Sequence, residues 1–203
     1  MIEDAELLRR WREGDRRAGN ELFQRHFEAV RRFFINKVDD EVEELVQRTF
    51  MACIEGKDRF EGRSEFRGYL LGIARHLMWK HWEVRRNNRN EPIDECSIYE
   101  MGAGPSTMLG RRDEERRLLD ALRRIPLESQ VVLELYYWES MTGSQMAIVL
   151  DMPENTVRTA IRRAKAALGV EMRRMERFAG KPESTDTDLD AWAAGVRAGL
   201  EGG

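Results

Sequence analysis

Cysteine and proline are scarce in this chain, and no long apolar run interrupts it. The 203 residues include two cysteines and five prolines. Cys53 and Cys96 are too few for a disulfide framework and suit a reducing compartment. The few prolines and the near absence of β-branched runs predict an all-α protein. No stretch approaches the ~20 apolar residues that a membrane span requires.

Signatures of export and of catalysis are missing as well. The first residues, MIEDAELLRRW, are charged and lack the apolar core of a signal peptide, so we expect a cytoplasmic protein without membrane contact. The chain has no phosphate-cradling glycine loop, no nucleophile elbow and no plausible pair of catalytic acids. His76 and His81 would lie about 140° apart around a helix, which is not a known metal-ligand pattern. The sequence therefore predicts no catalytic residue, no metal site and no cofactor.

Helical periodicity fills most of the chain. Four segments predict the helices of a first domain at residues 1–90: 4–13, 18–38, 41–55 and 64–86. In the last segment Ser64 is the predicted cap, and the predicted buried positions are Phe66, Leu70, Ile73 and Leu77. Residues 91–107 are rich in asparagine, proline, glycine and acids and predict a flexible linker. A second helical domain at 108–178 and a short helical extension at 179–203 complete an all-α fold of two small helical domains.

Residues 142–168, TGSQMAIVLDMPENTVRTAIRRAKAAL, predict two short helices joined by a tight turn. Thr142 and Gln145 have the spacing of a capping box. Pro153 suits the first turn of the second helix, where its missing N–H would be unpaired anyway. One face of that helix is apolar, through Val157, Ile161, Ala164 and Leu168, and cations occupy another face. The pattern is typical of a helix-turn-helix that binds DNA. An amphipathic helix with a solvated basic face is the alternative.

The formal net charge of −3 conceals an uneven distribution. Residues 152–178 carry seven basic and three acidic side chains, whereas residues 179–203 carry two basic and five acidic ones. In this acidic tail, Leu189, Trp192, Val196 and Leu200 share one face of a helix too short to be stable alone. We expect the tail to pack on the chain's own domains or on a partner and to regulate access. A frayed, passive tail is the alternative.

The C-terminal half of helix 64–86 alternates cations with large aromatic side chains. Its members are Arg75, His76, Trp79, Lys80, His81, Trp82, Arg85 and Arg86. Basic groups follow phosphates and aromatic faces replace lost base stacking, so the pattern favours binding of unstacked strands. The preceding loop is a candidate pocket for a flipped base, through Arg59, Phe60, Arg63 and Ser64. The alternative is that Trp79 and Trp82 are core residues of a helical bundle.

Helix 41–50 begins with three acids, Glu41, Glu43 and Glu44, which suit the positive end of its dipole. Val46, Gln47 and Phe50 add an apolar and amide surface. The helix is either a docking face for a basic partner or a well-capped core helix.

Together these segments resemble a bacterial sigma factor of the sigma-70 family, in its extracytoplasmic-function (ECF) group. The blocks that carry the resemblance are EVEELVQRTF at 41–50, DRFEGRSEFRGYLLGIARHL at 58–77 and LRRIPLESQVVLELYYWESMTGSQMAIVLDMPENTVRTAIRRAKAAL at 122–168. The similarity covers about residues 18–170, with matching spacing in both halves. It implies a protein that binds core RNA polymerase and directs promoter-specific initiation of transcription.

The resemblance also implies roles for individual residues. The β′ clamp helices of core polymerase would be bound by Glu41, Glu43, Glu44, Leu45, Val46, Gln47 and Phe50. The promoter's −10 element would be captured and melted by Arg59, Phe60, Arg63, Ser64, Arg75, His76, Trp79, Lys80, Trp82, Arg85 and Arg86. The linker would run toward the active-site cleft and the RNA exit path. The second domain would bind the β-flap and read the −35 element through Asn155, Thr156, Arg158, Thr159, Arg162, Arg163 and Lys165.

The chain departs from the family pattern at four places. Arg48 replaces a usual acid beside the polymerase-binding face. Asp151 replaces the turn glycine of the helix-turn-helix, and Asn155 replaces a glycine early in the recognition helix. Asp and Asn tolerate left-handed backbone, so we expect the turn to survive. Ala160 stands where a basic residue is common.

The main rival interpretation is a stand-alone two-domain helix-turn-helix regulator that binds duplex DNA as a dimer. Its first domain would sense a ligand or dimerise, and such a domain needs neither the aromatic–basic helix nor the acidic one. A helical adaptor or anti-sigma-like protein would not explain the cationic recognition helix. An anti-sigma factor, phosphorylation and the tail itself are the candidate regulators of a sigma factor.

Overall fold

Helices form the regular structure in the part of the chain that the structure describes. The computed structural model describes residues 2–39, 41–62, 64–85, 92, 95–101 and 113–178. Within these ranges the α-helices are α1 Asp4–Arg12, α2 Arg16–Ile35, α3 Val42–Gly56, α4 Phe66–Arg85, α5 Asp113–Leu122, α6 Leu127–Tyr137, α7 Gly143–Leu150 and α8 Glu154–Phe178. The all-α prediction is confirmed. None of the helices in these ranges is long and apolar enough to cross a membrane.

The chain divides into two compact units: the first comprises residues 1–87 and 147–152, and the second comprises residues 88–146 and 153–203. In the first unit, α1 to α4 share one core, to which each helix contributes a fully buried leucine: Leu7, Leu22, Leu45 and Leu70. Gly19 lets α1 approach α2 closely, since a Cβ at that position would lie 2.5 Å from Nε1 of Trp11. Asp15 caps α2 by accepting hydrogen bonds from the N–H groups of Arg17 and Ala18.

The start and the buried face of α4 differ from the prediction. The helix begins at Phe66, and the Glu65 carbonyl accepts the N–H of Tyr69 at 3.1 Å, so Ser64 is not its cap. Phe66 and Leu70 are buried as predicted, whereas Ile73 and Leu77 are half-buried. The other large buried side chains of the helix are Leu71, Met78, His81 and Trp82. Because α4 has apolar side chains on several sides, its periodicity does not single out one stripe.

In the second unit α8 packs against α5 and α6. Val157, Ala164 and Leu168 are buried, as the apolar face predicts, and Ile161 is half-buried. The buried stripe therefore turns the opposite side of α8 to solvent.

Residues 95–101 also belong to the second unit, which differs from the prediction of a flexible linker over 91–107. The Cys96 carbonyl accepts the N–H of Leu127 at 2.9 Å, and the Arg123 carbonyl accepts the N–H of Tyr99 at 3.0 Å. Ile98 is fully buried. This segment is thus held against the turn between α5 and α6 by backbone hydrogen bonds. Of the predicted linker, residues 91, 93–94 and 102–107 lie outside the described residues.

Candidate functional surfaces

An apolar groove of about 600 Å³ lies between α2 and α3. Its apolar lining is Phe23, Phe27, Val46, Phe50, Met51 and Ile54, and its polar lining is Gln24, Glu28, Arg31, Glu43 and Gln47. The ring centroids of Phe23 and Phe50 are 4.7 Å apart. Phe27, Met51 and Ile54 are 42, 51 and 42% exposed. Contiguous apolar side chains with a polar rim are typical of a protein-binding surface.

The α3 residues predicted to bind polymerase divide between this groove and the core. Glu43, Glu44 and Gln47 are exposed, and Glu43 and Gln47 line the groove. Val46 and Phe50 also line it, although little of either side chain is exposed. Leu45 has no exposed surface, so its assignment as a polymerase contact is wrong: its side chain packs in the unit's own core.

Glu41 is directed at α4 and is absent from the lining of the groove. Its Oε2 lies 2.9 Å from Nδ1 of His81, and its Oε1 accepts a hydrogen bond from the Arg85 guanidinium at 2.7 Å. One carboxylate therefore joins the start of α3 to the last two turns of α4.

Sequence reasoning did not identify Phe27, Met51 and Ile54 as functional residues. Apolar residues at these positions continue the buried stripes of α2 and α3, and burial is the usual fate of such stripes. A signal was nevertheless present in α3. Phe50, Met51 and Ile54 make its apolar surface wider than packing on one side requires.

The loop between α3 and α4 borders a second concavity. Phe60 stacks on Tyr69 with ring centroids 4.5 Å apart and meets Phe66 edge-on. A cavity of about 880 Å³ lies beside this loop. The cavity is lined by apolar and charged side chains of α1, α2, the loop and α4, among them Leu8, Arg12, Arg25, Phe60, Glu61, Ser64 and Phe66. Arg59 is exposed, and Arg63 lies outside the described residues.

Four predicted DNA contacts share one face of α4. Arg75 and Trp79, and likewise His76 and Lys80, are four residues apart and therefore neighbours on the helix surface. The Arg75 guanidinium carbon lies 4.4 Å from the centroid of the Trp79 ring. His76 and Lys80 are exposed, and Arg75 and Trp79 are half-buried. This face combines cations with an aromatic ring, as a surface for unstacked strands requires.

Trp82 and Arg85 are placed differently. Trp82 is 2% exposed, and its indole N–H donates to the Lys37 carbonyl at 3.2 Å. Its assignment as a DNA contact is wrong, because this tryptophan is part of the bundle core. Arg85 is engaged with Glu41. Arg86 lies outside the described residues.

The helix-turn-helix has the predicted local structure. The N–H of Thr142 donates to Oε1 of Gln145 at 2.8 Å, and the N–H of Gln145 donates to Oγ1 of Thr142 at 3.3 Å, which confirms the capping box. Asp151 has φ of 54°, so it occupies the left-handed turn position at which the family resemblance implies a glycine. The prediction that aspartate would support this turn is confirmed.

Most of the predicted −35 contacts are exposed on α8: Asn155, Thr156, Arg158, Arg162 and Arg163. Arg158 pairs with Glu154 at 2.9 Å, an exposed pair that contributes little and can exchange for a phosphate. Thr159 is half-buried, and its hydroxyl donates to the Asn155 carbonyl. The Lys165 ammonium lies 4.8 and 5.0 Å from the ring centroids of Tyr136 and Tyr137, so it is engaged between α6 and α8.

The described residues include no group of three or more histidines, cysteines or acids that could hold a metal ion. His76 is exposed, whereas His81 is buried against Trp82, so the two histidines have different surroundings. Burial raises the pKa of the Cys53 thiol to about 12, which keeps it protonated and unreactive near neutral pH.

Two family descriptions match this chain. Sigma-70 region 2 matches residues 22–89, which include the groove, the loop and α4. Sigma-70, region 4 matches residues 115–168, which include the helix-turn-helix. The matched region 2 therefore lies almost wholly in the first unit, and most of the matched region 4 lies in the second.

Individual proteins are similar over most of the chain. The RNA polymerase sigma factor NccH of Alcaligenes xylosoxydans xylosoxydans is 27% identical over 173 residues, which cover 81% of this chain and 92% of that protein. The ECF RNA polymerase sigma-E factor of Haemophilus influenzae is 25% identical over 175 residues, covering 81% and 93%. A solved structure of CnrH in complex with the cytosolic domain of CnrY superposes with a TM-score of 0.58 at 25% identity, covering 82% and 95%. The chain thus belongs to the ECF group of the sigma-70 family and is an RNA polymerase sigma factor.

Proposed function

We propose that this sigma factor binds core RNA polymerase, at its β′ clamp helices, through the α2–α3 groove. The observation that carries the proposal is the exposure of Phe27, Met51 and Ile54 along one apolar groove. Burial of such surface contributes about 25 cal/mol per Å², and the acids at the rim favour a basic partner. A stand-alone regulator of duplex DNA has no use for this groove.

The first unit also captures the −10 element in this proposal. Arg75, His76, Trp79 and Lys80 present cations and one aromatic face on α4. Phe60 and Ser64 line the 880 Å³ cavity, which has room for an unpaired base, and the exposed Arg59 precedes Phe60 in the loop. Melted DNA would follow the α4 face while a flipped base enters beside the loop.

The second unit reads the −35 element with the exposed face of α8. Arg158, Arg162 and Arg163 supply phosphate and base contacts, and Asn155 and Thr156 stand at the end of the helix that enters the major groove. We leave Lys165 out of this role, because its ammonium group contacts the two tyrosines of α6. The same unit would bind the β-flap.

The domain roles follow from these surfaces. Residues 1–90 bind polymerase and melt DNA, residues 108–178 recognise the upstream element, and residues 91–107 connect them. Because the polymerase performs the chemistry, the sigma factor catalyses nothing itself. We place the protein in the cytoplasm, where the polymerase transcribes the chromosome.

Regulation by an anti-sigma factor is part of the proposal. The structurally similar CnrH is bound to the cytosolic domain of CnrY. The acidic tail at 179–203 lies outside the described residues, so its regulatory role remains a prediction from its composition.

The test of the groove is co-elution with bacterial core RNA polymerase on a sizing column. Met51→Glu places a charge in the groove at a half-exposed position that the fold tolerates. We expect the wild-type chain to co-elute with core and the variant to bind at least about tenfold more weakly.

The matched control is Val170→Glu, which places the same charge at a 53% exposed position of α8 outside the matched region 4. It should bind core like the wild-type chain. Equal binding by Met51→Glu and the wild type would refute the proposal that the groove binds polymerase. Tight binding of a duplex operator by the dimeric chain without polymerase would instead favour the stand-alone regulator.

A further inference from the structure

A single arginine of α1 holds the backbone of the loop that leads into α4. The Nε and one terminal nitrogen of Arg12 donate to the Lys57 carbonyl at 2.9 and 2.6 Å. The same terminal nitrogen also donates to the Phe60 carbonyl. These contacts join residues 45 and 48 positions apart in the chain. α1 lies outside the matched region 2, which starts at residue 22.

The other side of the loop is held by α4. The Phe60 ring stacks on Tyr69, whose hydroxyl closely approaches Gly56 at the end of α3. A Cβ at position 56 would lie 2.4 Å from that hydroxyl, so only glycine allows the contact without a shift. The Phe60 ring of the loop is therefore held by α4, and the Lys57 and Phe60 carbonyls are held by Arg12.

Arg12 differs from its neighbours on α1 in the partners that it uses. Arg9 pairs with Glu6 and Glu13, and Arg10 pairs with Asp15, all within or just beyond the same helix. Within the described ranges, the hydrogen bonds of Arg12 go to loop carbonyls and none to a carboxylate. A planar guanidinium can bridge two carbonyls in a fixed geometry, which an ammonium cannot reproduce.

We propose that Arg12 is a positioning residue for selection of the −10 element: it sets the conformation of loop 57–62 before DNA arrives. The inference rests on the proposed role of this loop and its cavity in base capture. Arg12 also lines that cavity, so its bonds define one wall of it. A loop ordered in advance loses less conformational entropy when a base enters. The difference in binding affinity between the correct and the incorrect base is then larger.

The experiment compares holoenzymes reconstituted from core polymerase and the full-length chain or its variants. A pool of double-stranded DNA fragments with random segments is first selected by transcription with the wild-type holoenzyme. The selected upstream and downstream elements then define fragments with single base changes in each. Discrimination is the ratio of open-complex formation on the selected fragment to that on each changed fragment, and core affinity is measured separately.

With Arg12→Ala we expect discrimination at the downstream element to fall about fivefold. Discrimination at the upstream element and core affinity should stay at wild-type values. Arg12→Lys should restore part of the loss, because it keeps the charge and the stem but donates from a single point. The matched control, Arg9→Ala, removes an arginine of the same helix that does not contact the loop and should behave like the wild type.

Unchanged downstream discrimination by Arg12→Ala would overturn the proposal. An equal loss at both elements, or a loss of core affinity, would also overturn it, since that pattern indicates general destabilisation. If Arg12→Ala does not fold, Arg12→Lys decides, and wild-type discrimination by that variant overturns the proposal. A wild-type holoenzyme that selects no downstream element would instead refute the proposed function of the loop, which is a separate outcome.

Discussion

At the scale of single residues, two tryptophans of α4 show how burial divides similar side chains between stability and function. Trp79 and Trp82 are three positions apart in the same basic and aromatic segment of the sequence. Trp79 is half-buried under the Arg75 guanidinium, whereas Trp82 is in the core with its N–H bonded to the Lys37 carbonyl. The first is available to stack on a base, and the second is not.

We expect Trp82→Ala to destabilise the first unit by about 3–5 kcal/mol, the cost of removing a large buried aromatic side chain. Trp79→Ala should cost about 1 kcal/mol of stability but weaken binding of melted promoter by about 1–3 kcal/mol. Urea unfolding measures the first quantity, and open-complex formation by the reconstituted holoenzyme measures the second. Similar losses of stability in both variants would contradict the assignment of Trp79 to the DNA surface.

These residues also show what the sequence could predict. Composition and spacing indicate a basic and aromatic helix, because those features are local. They do not indicate which tryptophan is buried, because that depends on the packing of α4 against the Lys37 end of α2. The capping box of Thr142 and Gln145 was predictable for the opposite reason, since its partners are three residues apart. Residues 95–101 were predicted to be part of a linker, because backbone hydrogen bonds produce no periodic pattern of apolar residues in the sequence.

At the scale of secondary-structure elements, two acidic side chains at the start of α3 have different neighbours. Glu43 lines the groove, and Glu41 bonds to His81 and Arg85 of α4. The family resemblance assigned both acids to polymerase, because sequence similarity does not report where a side chain points. The structure favours Glu43 for docking and Glu41 for holding α3 and α4 together.

We expect Glu43→Gln to weaken core affinity up to about fivefold, with a dependence on salt, and to leave stability unchanged. Glu41→Gln should leave core affinity unchanged. It should lower the free energy of unfolding by no more than about 1 kcal/mol, because the carboxylate is 35% exposed and screened by solvent. Binding titrations at two salt concentrations and urea unfolding distinguish the two variants. Weaker core binding by Glu41→Gln at unchanged stability would restore Glu41 to the polymerase surface.

At the scale of the whole molecule, basic and acidic residues are concentrated in different segments, which the net charge does not reveal. The cationic face of α8 is followed in the chain by the acidic tail, although the net charge is only −3. In the proposed function the two units carry different surfaces: a groove for polymerase and a helix for melted strands in the first, and a helix for duplex DNA in the second. An acidic segment that directly follows the duplex-reading helix can compete with DNA phosphates for the same cations.

We therefore expect removal of residues 179–203 to increase binding of upstream promoter DNA by the holoenzyme. The advantage of the 1–178 chain over the full-length chain should shrink as salt rises, since screening weakens exposed charge pairs. The matched control combines Asp186→Asn, Asp188→Asn and Asp190→Asn. This variant keeps the length of the tail but removes three charges, and it should resemble the truncation.

Co-elution with core polymerase, measured for all three chains, separates an effect on DNA from masking of the polymerase groove. If only the truncated chain co-elutes, the tail covers the polymerase surface by its apolar residues. If deletion changes neither co-elution nor transcription, the tail is passive and the regulatory prediction is wrong.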